Sequence, residues 1–163
     1  MYTYHGPVRE AILTWKLAGR DSGLLWLLDA ARPRLKELIR AGDMLLPVPM
    51  PLKRMRKNGQ HHAADLCHHI ACITESGWEW RILRRQGEQS RQSSLNSTAR
   101  WRNLRGAFAV NMKEWKKLPT PDRIWIVDDI HTTGATLLFA ARALKSLKRP
   151  VHALSLARVA HRR

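Results

Sequence analysis

An apolar run that ends in two acids, followed by a hydroxyl-rich stretch, is the part of this 163-residue sequence best equipped for chemistry. Residues 124–127 read Ile-Trp-Ile-Val, the acids are Asp128 and Asp129, and residues 132–136 read Thr-Thr-Gly-Ala-Thr. Leucines and alanines then recur at helical spacing as far as residue 147. The pattern predicts a buried strand that ends at the acids, a short loop and an amphipathic helix, in that order.

The loop between this strand and this helix is suited to bind an anion. Backbone N–H groups in the first turn of a helix lack intrahelical acceptors, and they lie at the positive end of the helix dipole. Gly134 lets the backbone approach a ligand closely, and the neighbouring threonines add hydroxyl donors. A phosphate monoester fits these groups, and the two acids then suit ribose hydroxyls or a Mg²⁺ ion carried by the ligand. The plainer alternative is a strand-to-helix turn in which Asp and Thr only cap the helix.

The succession of strand, paired acids, Thr-Thr-Gly-Ala-Thr loop and helix resembles the phosphoribosyl-diphosphate signature of type I phosphoribosyltransferases. The resemblance implies that Asp128 and Asp129 are the catalytic pair and engage the ribose hydroxyls. It implies that the 5-phosphate of the substrate is bound by the loop residues Thr132, Thr133, Gly134, Ala135 and Thr136. The implied cofactor is Mg²⁺ carried with the diphosphate, and no resident metal site is expected.

The composition predicts one globular domain over residues 1–163. Hydrophobic residues make up 44% of the sequence, and a chain of this length can bury a sizeable core. No apolar stretch approaches the roughly 18 residues that a membrane span requires. The first residues lack the basic and apolar segments of a secretory signal, so we expect a cytoplasmic protein.

The charge is strongly positive, with 29 Lys and Arg against 13 Asp and Glu, or +16 with neutral histidines. A diphosphate ligand needs only a few cations, so the excess points to nucleic acid or another polyanion, bound in a salt-sensitive way. The alternative is a basic surface that serves solubility alone. Exposed tryptophans among the seven in the sequence could stack on bases, although most, Trp125 in particular, are expected in the core.

Helices and strands alternate along the rest of the sequence. Apolar residues at helical spacing predict helices over residues 8–17, 22–39 and 60–73, the second interrupted by Pro33. Apolar runs predict strands over residues 44–48, 78–83, 106–110 and 151–156. This alternation predicts an α/β fold whose mostly parallel sheet is flanked by helices, with ligands at the carboxyl ends of the strands.

Two basic segments complete the predicted ligand site. The first follows the strand at 44–48 and supplies the substrate-binding candidates Lys53, Arg54, Arg56, Lys57 and Gly59. In the predicted fold this segment would share a sheet edge with the threonine loop, so the diphosphate and the phosphate of one substrate could be held together. The second is a polar stretch over residues 84–94, predicted to be a mobile loop in which Arg84 and Arg85 stabilise the departing diphosphate.

From end to end the sequence is similar to the ComF/GntX group of type I phosphoribosyltransferase-like proteins, which is linked to natural competence. The similarity is carried by residues 15–20, 47–51, 85–92, 100–108 and 127–136. Members usually open with a zinc ribbon of four cysteines, which is lost here or lies outside this sequence. In the turn that is predicted to bind the diphosphate, residues 58–62, Asn58 stands where proteins of this group usually have arginine.

The resemblance implies a protein that binds 5-phosphoribosyl 1-diphosphate, in DNA uptake or nucleotide salvage. The reaction it implies is transfer of the phosphoribosyl group with displacement of diphosphate. The alternative from another class is a non-catalytic single-stranded DNA-binding or adaptor protein of the DNA-uptake machinery, built on the same fold. A regulator that binds the diphosphate ligand without turnover is a third possibility.

Overall fold

The computed structural model describes residues 1–50, 55, 59–86 and 106–160. In chain order the elements are β1 (Tyr2–Thr3), α1 (Gly6–Ala18), α2 (Ser22–Leu38), β2 (Met44–Pro47), α3 (His62–Thr74), β3 (Gly77–Trp78), β4 (Leu83–Arg85), β5 (Phe108–Val110), α4 (Met112–Trp115), β6 (Ile124–His131), α5 (Ala135–Leu144) and β7 (Val151–Arg158). A 3-10 turn over Lys145–Leu147 connects α5 to the segment before β7.

Five of the strands form one sheet in the order β1-β7-β6-β2-β3, and all of its pairings are parallel. Strands β4 and β5 form a separate antiparallel pair. Helices α1, α2 and α3 pack on one face of the large sheet, and α5 packs on the other together with β4 and β5. The predicted α/β class, a mostly parallel sheet flanked by helices, is therefore confirmed.

Strand β6 lies at the centre of the sheet because it is apolar on both faces. Ile124 and Ile126 pack into the core beside α5, whereas Trp125 and Val127 pack into the core beside α1, α2 and α3. All four side chains are buried. A strand covered on both sides reads as a continuous apolar run rather than as an alternating one, which explains the Ile-Trp-Ile-Val sequence.

The carboxyl end of β6 is paired on one side only among the described strands. Strand β2 ends at Pro47, which pairs with Val127, whereas β7 continues alongside β6 from Asp128 to His131. Proline has no N–H group, so Pro47 and Pro49 cannot extend the ladder on the β2 side. The last four residues of β6 are thus left with one edge available for other contacts.

Two predicted boundaries are wrong for reasons of packing. The sequence predicts that the central strand ends at the acids, but β6 runs on to His131 because β7 provides a partner as far as Arg158. The sequence also predicts an interruption at Pro33, but α2 continues through it, since this proline is exposed and the helix is anchored by buried residues on its other side, Leu24, Leu27, Leu28, Ala31 and Leu35. No helix in the described ranges is both long and apolar enough to cross a membrane.

The basic stretch at 84–94 is also different from its prediction where it is described. Arg84 and Arg85 belong to β4 and are paired with Ala109 and Phe108 of β5, so these two residues are part of a sheet and not of a loop. The remainder of that stretch lies outside the described residues. The same holds for the basic candidates Lys53, Arg54, Arg56 and Lys57.

Candidate functional site

A small cavity lies at the start of α5, at the carboxyl end of β6. Three consecutive segments line it, namely the end of β6, the following loop and the first turn of α5, through Asp128, Ile130, His131, Thr132, Gly134, Thr136 and Leu137. The structure therefore brings together one of the two predicted acids and most of the predicted loop. The site sits at the open edge of β6, where ligands of parallel α/β sheets commonly bind.

The loop geometry depends on Gly134, which precedes the first residue of α5. Its φ of 75° lies in the left-handed region, where a residue with a side chain is strained. A Cβ atom added there would lie 2.7 Å from Nε2 of His131, so the histidine ring packs directly on the glycine. The Ala135 side chain is buried in the core, so only its backbone faces the loop. The backbone N–H of Ala135 lies 3.5 Å from the Thr133 hydroxyl and donates a hydrogen bond to it.

The two acids have different surroundings although they are adjacent. Asp128 lines the cavity, and its Oδ1 accepts a hydrogen bond from the N–H of Asp129 at 2.9 Å. The Asp129 carboxylate instead forms an ion pair with Nζ of Lys16, at the end of α1. Lys16 reaches this carboxylate from α1, which packs on the face of β6 that carries Trp125 and Val127.

The pKa of Asp128 is raised to about 7, first by burial and then by the neighbouring Asp129 carboxylate. The backbone N–H of Asp129 and the ammonium of Lys16 oppose this shift without cancelling it. Near neutral pH the Asp128 carboxyl group therefore carries a proton in a large share of molecules. In that form it can donate a hydrogen bond to a hydroxyl group as well as accept one.

Lys16 lies beside the two acids, and the sequence did not reveal this position. Its position is set by the preceding Trp15, which is 5% exposed and packs edge-on against His62, with 5.0 Å between the ring centroids. A lysine in the last turn of a helix is favoured by the helix dipole, which explains why α1 tolerates it there. The only signal in the sequence was its place beside a tryptophan in the segment 15–20.

Two described residues just before α3, Gly59 and His61, have features that bear on the site. Gly59 adopts a φ of +66°, and His61 caps α3 by accepting a hydrogen bond from the N–H of Ala64 at 3.1 Å on Nδ1. Burial lowers the pKa of His61, while the Asp65 and Asp129 carboxylates act in the opposite direction. The Asp129 carboxylate therefore acts electrostatically on His61, which follows the basic segment that is predicted to bind diphosphate.

The two arginines of β4 are placed away from this cavity. Arg84 is exposed, and the guanidinium of Arg85 lies 5.7 Å from the centre of the Phe108 ring. Neither residue is among those that line the cavity. Their predicted contact with a departing diphosphate stays a prediction.

The chain is similar in sequence to proteins with a name linked to DNA, although no family model matches it. The DNA utilization protein YhgH of Escherichia coli O157:H7 is 28% identical over 121 residues, which cover 74% of this chain and 51% of that protein. The protein of the same name from Salmonella typhi is 29% identical over 103 residues, which cover 63% of this chain and 43% of that protein. The chain thus spans about half the length of the curated relatives it matches.

Two solved structures are similar in the course of the chain. Orotate phosphoribosyltransferase from Aeropyrum pernix is 15% identical, with a TM-score of 0.45 over 87% of this chain and 75% of the other. An allosteric regulatory enzyme of purine biosynthesis is 19% identical, with a TM-score of 0.44 over 77% of this chain and 25% of the other.

Proposed function

We propose that this chain binds 5-phosphoribosyl 1-diphosphate together with Mg²⁺ and that residues 127–136 form the binding loop. The observation that supports this most is the cavity in which Asp128 meets Thr132, Gly134 and Thr136. The first turn of α5 offers N–H groups to the 5-phosphate, and the threonine hydroxyls add donors. Asp128, one residue past the end of the paired β2 edge, would then bind the ribose hydroxyls.

The reaction that we propose for this site is transfer of the phosphoribosyl group. The bond between the anomeric carbon and the diphosphate oxygen breaks as a nucleophilic acceptor forms its bond to the same carbon. Positive charge develops on the sugar and negative charge on the diphosphate. Asp128 would orient the ribose by hydrogen bonds, and the basic residues that follow β2, Lys53, Arg54, Arg56 and Lys57, would hold the leaving diphosphate.

We propose that the Mg²⁺ ion arrives bound to the diphosphate of the ligand. In the described part of the chain no group of three His, Cys, Asp or Glu side chains is arranged to hold a metal. Mg²⁺ prefers oxygen ligands and is commonly bound through substrate phosphates with few protein groups. When bound, it would neutralise charge on the diphosphate, which makes that group a better leaving group.

We further propose a role in the use or uptake of DNA, because the curated relatives are named DNA utilization proteins. A second candidate function, a non-catalytic single-stranded DNA-binding or adaptor protein, is favoured by a different observation. Trp26 and Trp80 are 66% and 45% exposed on a chain whose formal net charge is +16. Exposed indoles among basic groups can stack on unpaired bases.

Titration calorimetry with 5-phosphoribosyl 1-diphosphate and Mg²⁺ tests the main proposal, with ribose 5-phosphate and inorganic diphosphate as partial ligands. We expect saturable binding that is tighter for the whole ligand than for either part. A screen of purine and pyrimidine bases for diphosphate release then tests turnover. Binding without release favours the adaptor function, and no binding of the whole ligand contradicts the proposal.

A further inference from the structure

The two adjacent acids differ in what their carboxyl oxygens already contact. For Asp129, Oδ1 accepts a hydrogen bond from the N–H of Ile130 at 2.6 Å, and Oδ2 is paired with the Lys16 ammonium. For Asp128, Oδ1 accepts from the N–H of Asp129, and the side chain lines the cavity. Asp129 is not among the residues that line it. The Asp129 carboxylate is therefore occupied by contacts inside the protein, whereas Asp128 faces the cavity.

We propose that the two acids divide their tasks, so that Asp128 binds the ribose hydroxyls and the Lys16–Asp129 ion pair braces the end of β6. Lys16 is then a positioning residue of the ligand site, acting through Asp129. The inference rests on the proposed function, because it assigns roles within that same site.

The Lys16–Asp129 ion pair lies where it can fix the position of the Asp128 side chain. The Lys16 and Asp129 side chains are each only 20% exposed, so their attraction is less screened than that of a surface pair. The pair joins α1 to the stretch of β6 beyond the end of β2, where β7 is the one partner of β6 among the described strands. The N–H of Asp129 also holds Oδ1 of Asp128, so a shift of Asp129 is passed directly to the ligand-facing acid.

A competing role for Lys16 would give the opposite behaviour. If both acids bound ribose, ligand binding would have to displace the ammonium from Asp129, and Lys16 would act as an inhibitor. Removing the lysine would then tighten binding. If the ion pair instead braces the end of β6, removing Lys16 weakens ligand binding, because the position of Asp128 is then less well defined.

The test is a set of variants titrated with 5-phosphoribosyl 1-diphosphate and Mg²⁺. We expect Asp128→Ala to raise Kd about 100-fold, and Lys16→Met and Asp129→Asn about 10-fold each, with the double variant no worse than either single one. Lys16→Arg should recover most of the affinity, because it keeps a cation at the end of α1. Lys36→Met is the matched control, since Lys36 is an exposed lysine in the last turn of α2 and should change nothing.

Three results would overturn the division of tasks. They are tighter binding by Lys16→Met, a loss in Asp129→Asn as large as that in Asp128→Ala, and additive losses in the Lys16 and Asp129 variants. The same variants unfolded in urea without ligand separate this proposal from the function. If wild type fails to bind, the function fails, while missing coupling between residues 16 and 129 in the unfolding cycle still overturns the brace.

Discussion

Gly134 is the residue in the loop that tolerates substitution least. Its φ of 75° costs a residue with a Cβ atom about 1 kcal/mol or more, and the Cβ would also press against His131 at 2.7 Å. We expect Gly134→Ala to lower stability by more than about 1 kcal/mol and to abolish detectable ligand binding. Urea unfolding and calorimetry measure the two effects.

Gly106 provides the matched control for this substitution. Its φ is 77°, but a Cβ atom there would have no neighbour within 4 Å among the described residues. Gly106→Ala should therefore show the cost of the backbone alone, about 1 kcal/mol, with ligand affinity unchanged. Equal effects at the two positions would mean that the contact with His131 does not matter.

The raised pKa of Asp128 predicts an unusual pH dependence of stability. An aspartate in an unfolded chain has a pKa near 4, whereas that of Asp128 in the folded chain is about 7. Between these values the folded state retains a proton that the unfolded state has released, so this residue lowers stability as pH rises from about 4 to about 7. Above that range its effect is constant.

Asp128→Asn should remove this pH-dependent loss, since the amide keeps the Oδ1 acceptor but does not ionise. We expect the variant to melt several degrees above wild type at pH 8 and close to wild type near pH 4. Melting curves of both proteins between these pH values measure the difference, in which the other titrating groups cancel. Because Asp128 interacts with Asp129, the midpoint belongs to the pair. A constant difference across the range would contradict the shift.

At the level of the elements, the amino ends of β2 and β6 are joined by a buried charge. The Asp43 carboxylate accepts hydrogen bonds from Nε and Nη2 of Arg123 at 2.9 and 2.7 Å, and from the Trp125 indole at 2.9 Å. Burial favours a raised pKa for Asp43, but the hydrogen bonds from Arg123, the Arg40 backbone and Trp125 outweigh it and lower the pKa. These contacts of Asp43, called the clamp below, help to hold the register in which β2 ends before the acids of β6.

Asp43→Asn should destabilise the chain by about 3 kcal/mol, because it leaves the Arg123 guanidinium without its buried counter-charge. Urea unfolding at neutral pH measures the loss. Asp29→Asn is the control, since it breaks an exposed pair with Arg32 on the surface of α2 and should cost about 0.5 kcal/mol or less. Equal costs would show that the clamp behaves as a surface ion pair. The contribution of Asp43 is present above about pH 4 and is lost as pH falls below that value.

The molecule as a whole carries far more positive charge than one diphosphate ligand requires. Trp15 and Trp125 are core residues, as expected for Trp125, whereas Trp26 and Trp80 are exposed. The Arg81 guanidinium lies 5.8 Å from the centre of the Trp80 ring, so this indole already has a cation beside it. A base that stacks on Trp80 would lie beside this guanidinium, which is also paired with the Glu79 carboxylate at 3.2 Å.

Affinity for single-stranded DNA should fall linearly with salt on logarithmic axes, with a slope of about −0.7 for each phosphate contact. Binding should quench tryptophan fluorescence, and Trp80→Ala and Trp26→Ala should each remove part of the quench, because both indoles are exposed. Fluorescence titration over a range of salt concentrations measures both quantities. If heparin competes equally well and the tryptophan fluorescence does not change, the basic surface serves solubility and does not stack on bases.

The features that were predictable from the sequence are those made by neighbouring residues. The strand, acids, loop and helix of residues 124–144 follow one another along the chain, so their order already places Asp128 next to Gly134. The alternation of helices and strands along the sequence likewise indicated the α/β class.

The features that needed the tertiary structure depend on residues far apart in the chain. Lys16 and Asp129 meet only because α1 packs on the face of β6 that carries Trp125 and Val127. Strand β6 extends past the acids because β7 supplies partners there, and no local pattern reports where a neighbouring strand ends. Two acids that are equivalent in the sequence become different in the fold, since one contacts a lysine from another element and the other faces a cavity.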